Sequence, residues 1–308
     1  MYKQNKATTN LRHIAEWNSM DQSQMESIVF LIQCPDQKGL VSQVSTFFYR
    51  KGFNILNCQE HVDVSQDQYF MRIELDMSDL NTSRKDLEAD FQSFGDPLKL
   101  NWSVYYTNQL ARVALLVTKA PHCLYDILVR HEQNELNCEI PLIVSNHPYL
   151  ESIADKFRIP FYCLPIKSKE ERHEQEQQVI QLLEQNHIDL IVLARYMQIL
   201  SENFTAAYFG KIINIHHAFL PAFKGANPYK SAYERGVKMI GATAHYASAE
   251  LDAGPIIEQD VERVTHKNTP RELSQMGADI ERIVLARAVK AHLEHRVIIN
   301  GNRTVIFK

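Results

Sequence analysis

The chain has 308 residues, an apolar share of 45% and a formal net charge of −4. That length allows two domains with proper cores, and the mild acidity argues against a general nucleic-acid binder, which would carry a basic excess. Its five cysteines (Cys34, Cys58, Cys123, Cys138 and Cys163) are odd in number and form no C-x-x-C pair. Neither a disulfide framework nor a structural zinc site is therefore expected, and a reducing cytoplasm is the expected compartment.

Residues 1–24 are polar and rich in Gln and Asn, with no apolar h-region and no small-residue cleavage site, so they read as an extension with at most a surface helix over 11–17. No stretch reaches the roughly 18 apolar residues of a membrane span. Residues 27–33 (SIVFLIQ) read as a buried strand, and the Pro/Gly-punctuated 34–39 as a turn. Leu40, Val41, Val44, Phe47 and Phe48 recur at helical spacing, and Gly52 supplies the left-handed residue that ends the helix. Residues 55–64 read as a second strand and 65–68 as a hairpin turn. In the third strand Tyr69, Met71, Ile73 and Leu75 alternate with Phe70, Arg72 and Glu74. Residues 82–94 form an amphipathic pattern with Asn81 or Thr82 as N-cap, and Leu100, Trp102, Val104 and Tyr106 alternate in a last strand.

The order is βαββαβ, the ferredoxin-like split arrangement. Its first turn, Asp36-x-x-Gly39-Leu40, resembles that of ACT domains, small regulatory modules that bind amino acids and pair with one another. The resemblance implies a regulatory site at Asp36, Gly39 and Leu40. An open sheet edge in so small a domain also favours pairing with a second copy, hence a homo-oligomer. The plainer alternative is that Asp36 caps the helix and Gly39 eases the turn; both readings stay open.

A different rhythm follows a short link at 107–109, dividing the chain into an extension (1–24), an ACT domain (25–108) and a larger domain (109–308). Strands at 113–118, 140–145, 161–164 and 189–194 alternate with helices at 121–131, 149–157 and 169–186. This predicts a Rossmann-like, mostly parallel sheet covered on both faces. The Glu/Gln run of the last helix reads as a solvated face. Ligands in such a sheet sit beyond the carboxyl ends of the strands. The loop after the first of these strands, Thr118-Lys119-Ala120-Pro121-His122-Cys123, has no glycine and cannot cradle a phosphate as a G-x-G-x-x-G loop does, so no nucleotide cofactor is expected. Lys119 and His122 read either as pocket-lining groups or as surface and helix-start residues.

Residues 212–217 (INIHH and the preceding Ile) read as a strand entering a loop. On an extended backbone Asn214 and His216 share a face and His217 points away. That phase argues against a metal clasped by both histidines; His216, His245 and Asp252 remain a conceivable three-ligand zinc set, unsupported by any H-x-x-x-H or H-E-x-x-H pairing. Asn227 reads as a cap before Pro228, residues 239–246 (MIGATAHY) as a strand in which Gly241 permits close backbone approach, and Asp252 lies in a turn before the strand at 256–262. An amide, an imidazole and a carboxylate suit reaction at a carbonyl carbon: the first holds the oxygen, the second stabilises developing charge, the third moves a proton.

Asn214-x-His216, the Leu220-Pro221…Gly225 loop and Gly241-x-Thr243-x-His245…Asp252-x-Gly254 resemble the 10-formyltetrahydrofolate-dependent formyltransferase family over roughly 200 residues. The resemblance implies that Asn214 and His216 hold and polarise the formyl group while Asp252 orients His216 and relays the proton. It further implies that Arg195, Tyr196, Met197, Gln198, Ile199 and Leu200, with Gly241, Thr243 and His245, form the folate pocket. Within the family, an ACT domain joined to HHAFLPAFKGANPY and LARYMQILS looks like the deformylase branch. That branch implies water as acceptor, 10-formyltetrahydrofolate as substrate with no prosthetic group, and formate supplied for purine synthesis. It also implies glycine and methionine as effectors. Formyl transfer to glycinamide ribonucleotide is the alternative, put in doubt by the glycine-free loop; a non-catalytic amino-acid sensor is the third reading.

Overall fold

The computed structural model describes residues 26–166, 168, 171–221 and 228–308. The extension at 1–24 with its expected helix, the Lys224–Gly225 part of the loop and the Asn227 cap lie outside the described residues. The chain divides into two compact units, Met1–Asn108 and Gln109–Lys308.

In the first unit, strand β1 (Ser27–Pro35) is followed by helix α1 (Leu40–Arg50), strands β2 (Ile55–Asp63) and β3 (Gln68–Asp76), helix α2 (Arg84–Gly95) and strand β4 (Asn101–Tyr106). They form a four-stranded antiparallel sheet in the order β2-β3-β1-β4, the expected ferredoxin-like fold. Alternate residues of the strands meet the helices. Phe30 of β1 lies 4.6 Å, ring to ring, from Phe91 of α2, and Phe48 of α1 stacks on Phe91 at 5.4 Å. The alternation foreseen in β3 tracks this core through Tyr69, Met71, Ile73 and Leu75, but the other face is buried too. Phe70 is fully covered and Arg72 lies inside, its charge met by Glu74 at 2.9 Å. Helix α2 is capped by Ser83 rather than by Asn81 or Thr82, because the Ser83 hydroxyl is the group that accepts from the Asp86 N–H. Asp36 does not cap α1: Gly39, in the left-handed region at φ +87°, occupies the N-cap with no side-chain bond, while the Asp36 N–H donates to the Asp67 carbonyl.

The second unit holds strands β5 (Ala111–Val117), β6 (Cys138–Ser145), β7 (Phe161–Cys163), β8 (Leu190–Leu193), β9 (Ile212–His216), β10 (Met239–Tyr246) and β11 (Ile256–Arg263) in one seven-stranded sheet. The order is β11-β10-β9-β8-β5-β6-β7. β5 to β9 run parallel, and β10 runs antiparallel to both of its neighbours, β9 and β11, so the sheet is mostly parallel as expected. The continuous apolar runs of β5 and β8 are explained by two cores, one on each face. Helices α3 (His122–Glu132), α4 (Glu151–Phe157), α5 (Glu171–Gln185), α6 (Glu202–Ala207), α7 (Pro228–Arg235) and α8 (Pro270–Leu293) complete the unit, with a terminal hairpin of β12 (Val297–Asn300) and β13 (Arg303–Ile306). Helix α8 is launched by a capping box in which Thr269 and Glu272 bond reciprocally, with Pro270 at its first position. The strand order reverses between β5 and β8. The loops after β5, β8 and β9 therefore open at one edge of the sheet, where such folds place their ligands. Among the described residues no helix is long and apolar enough to cross a membrane.

Candidate active site

Antiparallel pairing sets His245 opposite Asn214 and Thr243 opposite His216 across β9 and β10. His245 Nδ1 lies 2.9 Å from the Tyr246 carbonyl oxygen, a group that only accepts, so the proton belongs on Nδ1. His245 Nε2, 3.1 Å from Asn214 Nδ2, then accepts from the amide. One amide N–H of Asn214 is thereby anchored and the other remains for a ligand. Both ring nitrogens of His245 are thus engaged in hydrogen bonds.

Asp252 reaches the same place on the return from β10. Its backbone is left-handed at φ +55°, a conformation Asp tolerates better than most residues. The turn closes so tightly that a Cβ on Gly254 would sit 1.8 Å from the Tyr246 carbonyl oxygen. Asp252 Oδ1 lies 3.2 Å from His216 Nδ1 and 3.7 Å from His245 Nε2. Burial pushes the Asp252 carboxyl up, but the hydrogen bond from His216 and the neighbouring His245 imidazole outweigh it and hold it well below the usual carboxylate range. His216 is buried, gives its Nδ1 proton to Asp252, and keeps Nε2 without a partner among the described residues. Asn214, His216 and Asp252 are thus brought together.

The remaining expected folate residues separate into three groups. Thr243 is fully buried and braces the loop after β9: its hydroxyl donates to the Ala218 carbonyl at 2.9 Å and accepts from the Leu220 N–H at 3.0 Å. Gly241 makes room for the neighbouring strand, since a Cβ there would lie 2.5 Å from the Asp260 carbonyl oxygen. The segment after β8 is pinned from both sides. The Met197 N–H donates to Thr118 Oγ1 at 3.0 Å, and the Ser201 N–H to Glu176 at 2.9 Å. Gln175 donates to the Tyr196 hydroxyl at 3.1 Å. Gln175 and Glu176 are only 6% and 7% exposed and are committed to this segment, while Glu174, Gln177, Gln178, Gln181 and Glu184 keep the solvated face expected of α5. Tyr196, Gln198, Ile199 and Leu200 line a hollow with Arg172 and Phe204, while the Met197 side chain is exposed.

Arg195 turns elsewhere. Held left-handed at φ +64°, it lines a cavity of about 430 Å³ together with His122, His217, Tyr229, Lys230 and Glu281. Glu281, on α8, is 2% exposed; it receives His122 Nε2 at 2.8 Å and the Tyr229 hydroxyl at 2.6 Å, and Arg195 Nε lies 3.4 Å away. Burial opposes its ionisation, but the His122 bond, the Arg195 charge and the Tyr229 hydroxyl hold it below its ordinary value. The adjacent Cys123 places a third donor atom within 4.8 Å of those of His122 and Glu281. Burial pushes the Cys123 thiol well above its usual value, and His122 and Glu281 are hydrogen-bonded to each other beside it. Lys119 packs its ammonium over the Tyr149 ring at 5.4 Å.

The formyl transferase family profile matches residues 111–289. Over 277 residues the chain is 52% identical to the formyltetrahydrofolate deformylase of Synechocystis sp., covering 90% of this chain and 97% of that protein. The chain belongs to the formyltetrahydrofolate deformylase family. The solved formyltetrahydrofolate deformylase of Pseudomonas syringae pv. tomato superposes with a TM-score of 0.92 at 38% identity, over 97% of this chain and all of that one. A glycinamide ribonucleotide transformylase from Symbiobacterium toebii superposes with a TM-score of 0.63 at 26% identity, covering 66% of this chain and 97% of its own.

Sequence reasoning had passed over four residues of this deformylase-family chain that the fold gathers: His217, Tyr229, Glu281 and, as more than an option, His122. Strand phase turns His217 from His216, so the sequence alone gives it no role. Glu281 lies on α8, far in sequence from every motif of the site. The Thr269-Pro270-x-Glu272 signature was the available signal for that helix. Nothing local in sequence foretells that Glu281 and His122, 159 positions apart, touch.

Proposed function

We propose that the Asn214, His216 and Asp252 set hydrolyses 10-formyltetrahydrofolate to formate and tetrahydrofolate. The observation that carries this reading is the convergence of the three side chains in a chain aligned with deformylases over nearly its whole length. The formyl oxygen sits against the free amide N–H of Asn214. Asp252, kept ionised by its two histidine neighbours, takes no proton itself but holds the Nδ1 proton of His216, so that His216 Nε2 faces the reactants. Nε2 receives a proton from the attacking water as its oxygen bonds to the formyl carbon. The tetrahedral oxyanion is held by Asn214, and Nε2 returns the proton to N10 as the C–N10 bond breaks. The collapse leaves formic acid, which loses its proton to solvent and departs as formate with tetrahydrofolate, so atoms and charge balance without a cofactor.

An absorbance assay with 10-formyltetrahydrofolate and no acceptor tests this directly. Turnover that depends on added glycinamide ribonucleotide would instead favour formyl transfer, the activity named for the transformylase whose fold matches the second unit.

The first unit is read as an ACT-type regulatory domain. Its βαββαβ fold and the Asp36-x-x-Gly39-Leu40 turn support that reading, with glycine and methionine as expected effectors and pairing of two copies as expected assembly. Titration of the purified protein with glycine by calorimetry checks the effector; no heat and no change in turnover would remove it. The five free thiols fit a reducing compartment, the cytoplasm.

A further inference from the structure

The cavity beside the reacting set contains binding capacity that the mechanism leaves unused. Glu281 accepts the Tyr229 hydroxyl with one oxygen and His122 Nε2 with the other. Arg195 Nε approaches it only to 3.4 Å, and both Nε and Nη1 of the guanidinium are buried without a hydrogen-bond partner among the described residues. His217, on the adjoining wall, is 7% exposed and its Nε2 also lacks a partner. Burial and the Arg195 charge push its imidazole down to about 4, so it stands neutral at pH 7. Buried N–H groups left unpaired are costly, and a guanidinium offers a planar fork that matches a carboxylate. Lys230 stands at the exposed rim of the cavity, where it also pairs with Glu234 at 3.8 Å.

The position of the cavity selects among anions. The His217 ring lies 5.2 Å from that of His216, so the wall of the cavity adjoins the place where each turnover would make one small planar carboxylate. We propose that this cavity is a carboxylate site that holds the formate released by hydrolysis, with Arg195 as its binding residue. The proposal rests on the hydrolytic reading above. It makes formate a product inhibitor through a site distinct from the Asn214 amide.

The test measures initial rates with 10-formyltetrahydrofolate at rising sodium formate, ionic strength being held with sodium chloride, with inorganic phosphate as a parallel arm. Formate is expected to inhibit the parent, and Arg195→Gln to raise the formate inhibition constant ~10-fold or more, the loss of one or two charge-assisted bonds. Arg195→Lys, which keeps the charge and loses the fork, serves where the glutamine variant does not fold. Ala278→Phe, which fills the cavity from α8 and removes no charge, is expected to raise the constant as well. Inhibition unchanged in these variants would place formate at Asn214 and His216 and overturn the site, as would a parent indifferent to formate. Arg195-dependent inhibition by phosphate but not by formate would overturn it in favour of a phosphorylated ligand. If no formate is released without an acceptor, the hydrolytic reading fails, and the cavity is then judged alone by ¹³C-formate line broadening. Arg195-dependent broadening sustains the site and its absence ends it.

Discussion

His216 Nδ1 lies 3.2 Å from Asp252 Oδ1, and Nε2, on the other side of the same ring, has no partner among the described residues. The carboxylate therefore fixes both the tautomer and the orientation of the imidazole. Asp252→Asn keeps the shape but offers an N–H or a neutral oxygen where the ring needs an anion. Turnover is expected to fall at least ~100-fold while the KM for 10-formyltetrahydrofolate changes little. Steady-state formate release decides it; full activity in this variant would remove Asp252 from the reaction.

Asn214 is anchored by His245 Nε2 at 3.1 Å and is assigned the formyl oxygen. A donor to a developing oxyanion is worth roughly 3 kcal/mol, so Asn214→Ala is expected to lower kcat ~100-fold. Asn214→Asp, which replaces donors with negative charge, should be worse still. An aspartate variant as active as the parent would contradict the oxyanion role.

Glu176, one of two buried members of an otherwise solvated Glu/Gln run, holds the Ser201 N–H at 2.9 Å and bonds the Ser201 hydroxyl as well. Glu176→Ala leaves a buried N–H unsatisfied, a loss of about 1–3 kcal/mol. It should lower the melting temperature and raise the folate KM more than it lowers kcat, with Glu176→Gln intermediate because its amide oxygen can still accept. A KM equal to the parent's would mean that the 195–201 segment is not part of the folate pocket.

Two buried histidines couple stability to pH. Burial, with Arg195 nearby, pushes His217 down to about 4 from 6.5; burial, with Lys211 nearby, does the same to His292, whose Nδ1 lies 2.8 Å from the Tyr246 hydroxyl. Between those values the unfolded chain binds protons that the folded chain refuses. Their contribution is thus complete above pH 6.5 and is lost as pH falls toward 4, at about 1.4 kcal/mol per pH unit for each residue. In His292→Gln, which keeps a hydrogen-bonding group for Tyr246, the slope of unfolding free energy over this window should flatten by about that amount in chemical denaturation at stepped pH. An unaltered slope would show that His292 titrates normally.

Much of this site was legible because its logic is local. The two-residue period of a strand places Asn214 and His216 on one face whatever surrounds them, and the turn residues around Asp252 announce a tight return. The apolar runs of β5 and β8 likewise announce a sheet covered on both faces, and the Asp36–Leu40 turn marks the start of α1.

The second layer of the site needed the tertiary structure. Burial of Gln175 and Glu176 follows from which face of α5 meets the 195–201 segment, and a polar run cannot declare that in advance. The resemblance implies Thr243 and Gly241 in the folate pocket, yet packing turns them to the Ala218 carbonyl and the Asp260 backbone. Arg195 belongs by sequence to the segment of Tyr196 and Gln198, but its left-handed backbone carries it to Glu281. The sequence by itself determined which strands form and which residues share a face, since these depend on neighbours one to four positions away. Only the fold decided which distant charges meet, because the energy that pairs His122, Arg195 and Tyr229 with Glu281 exists only once α8 closes over the sheet.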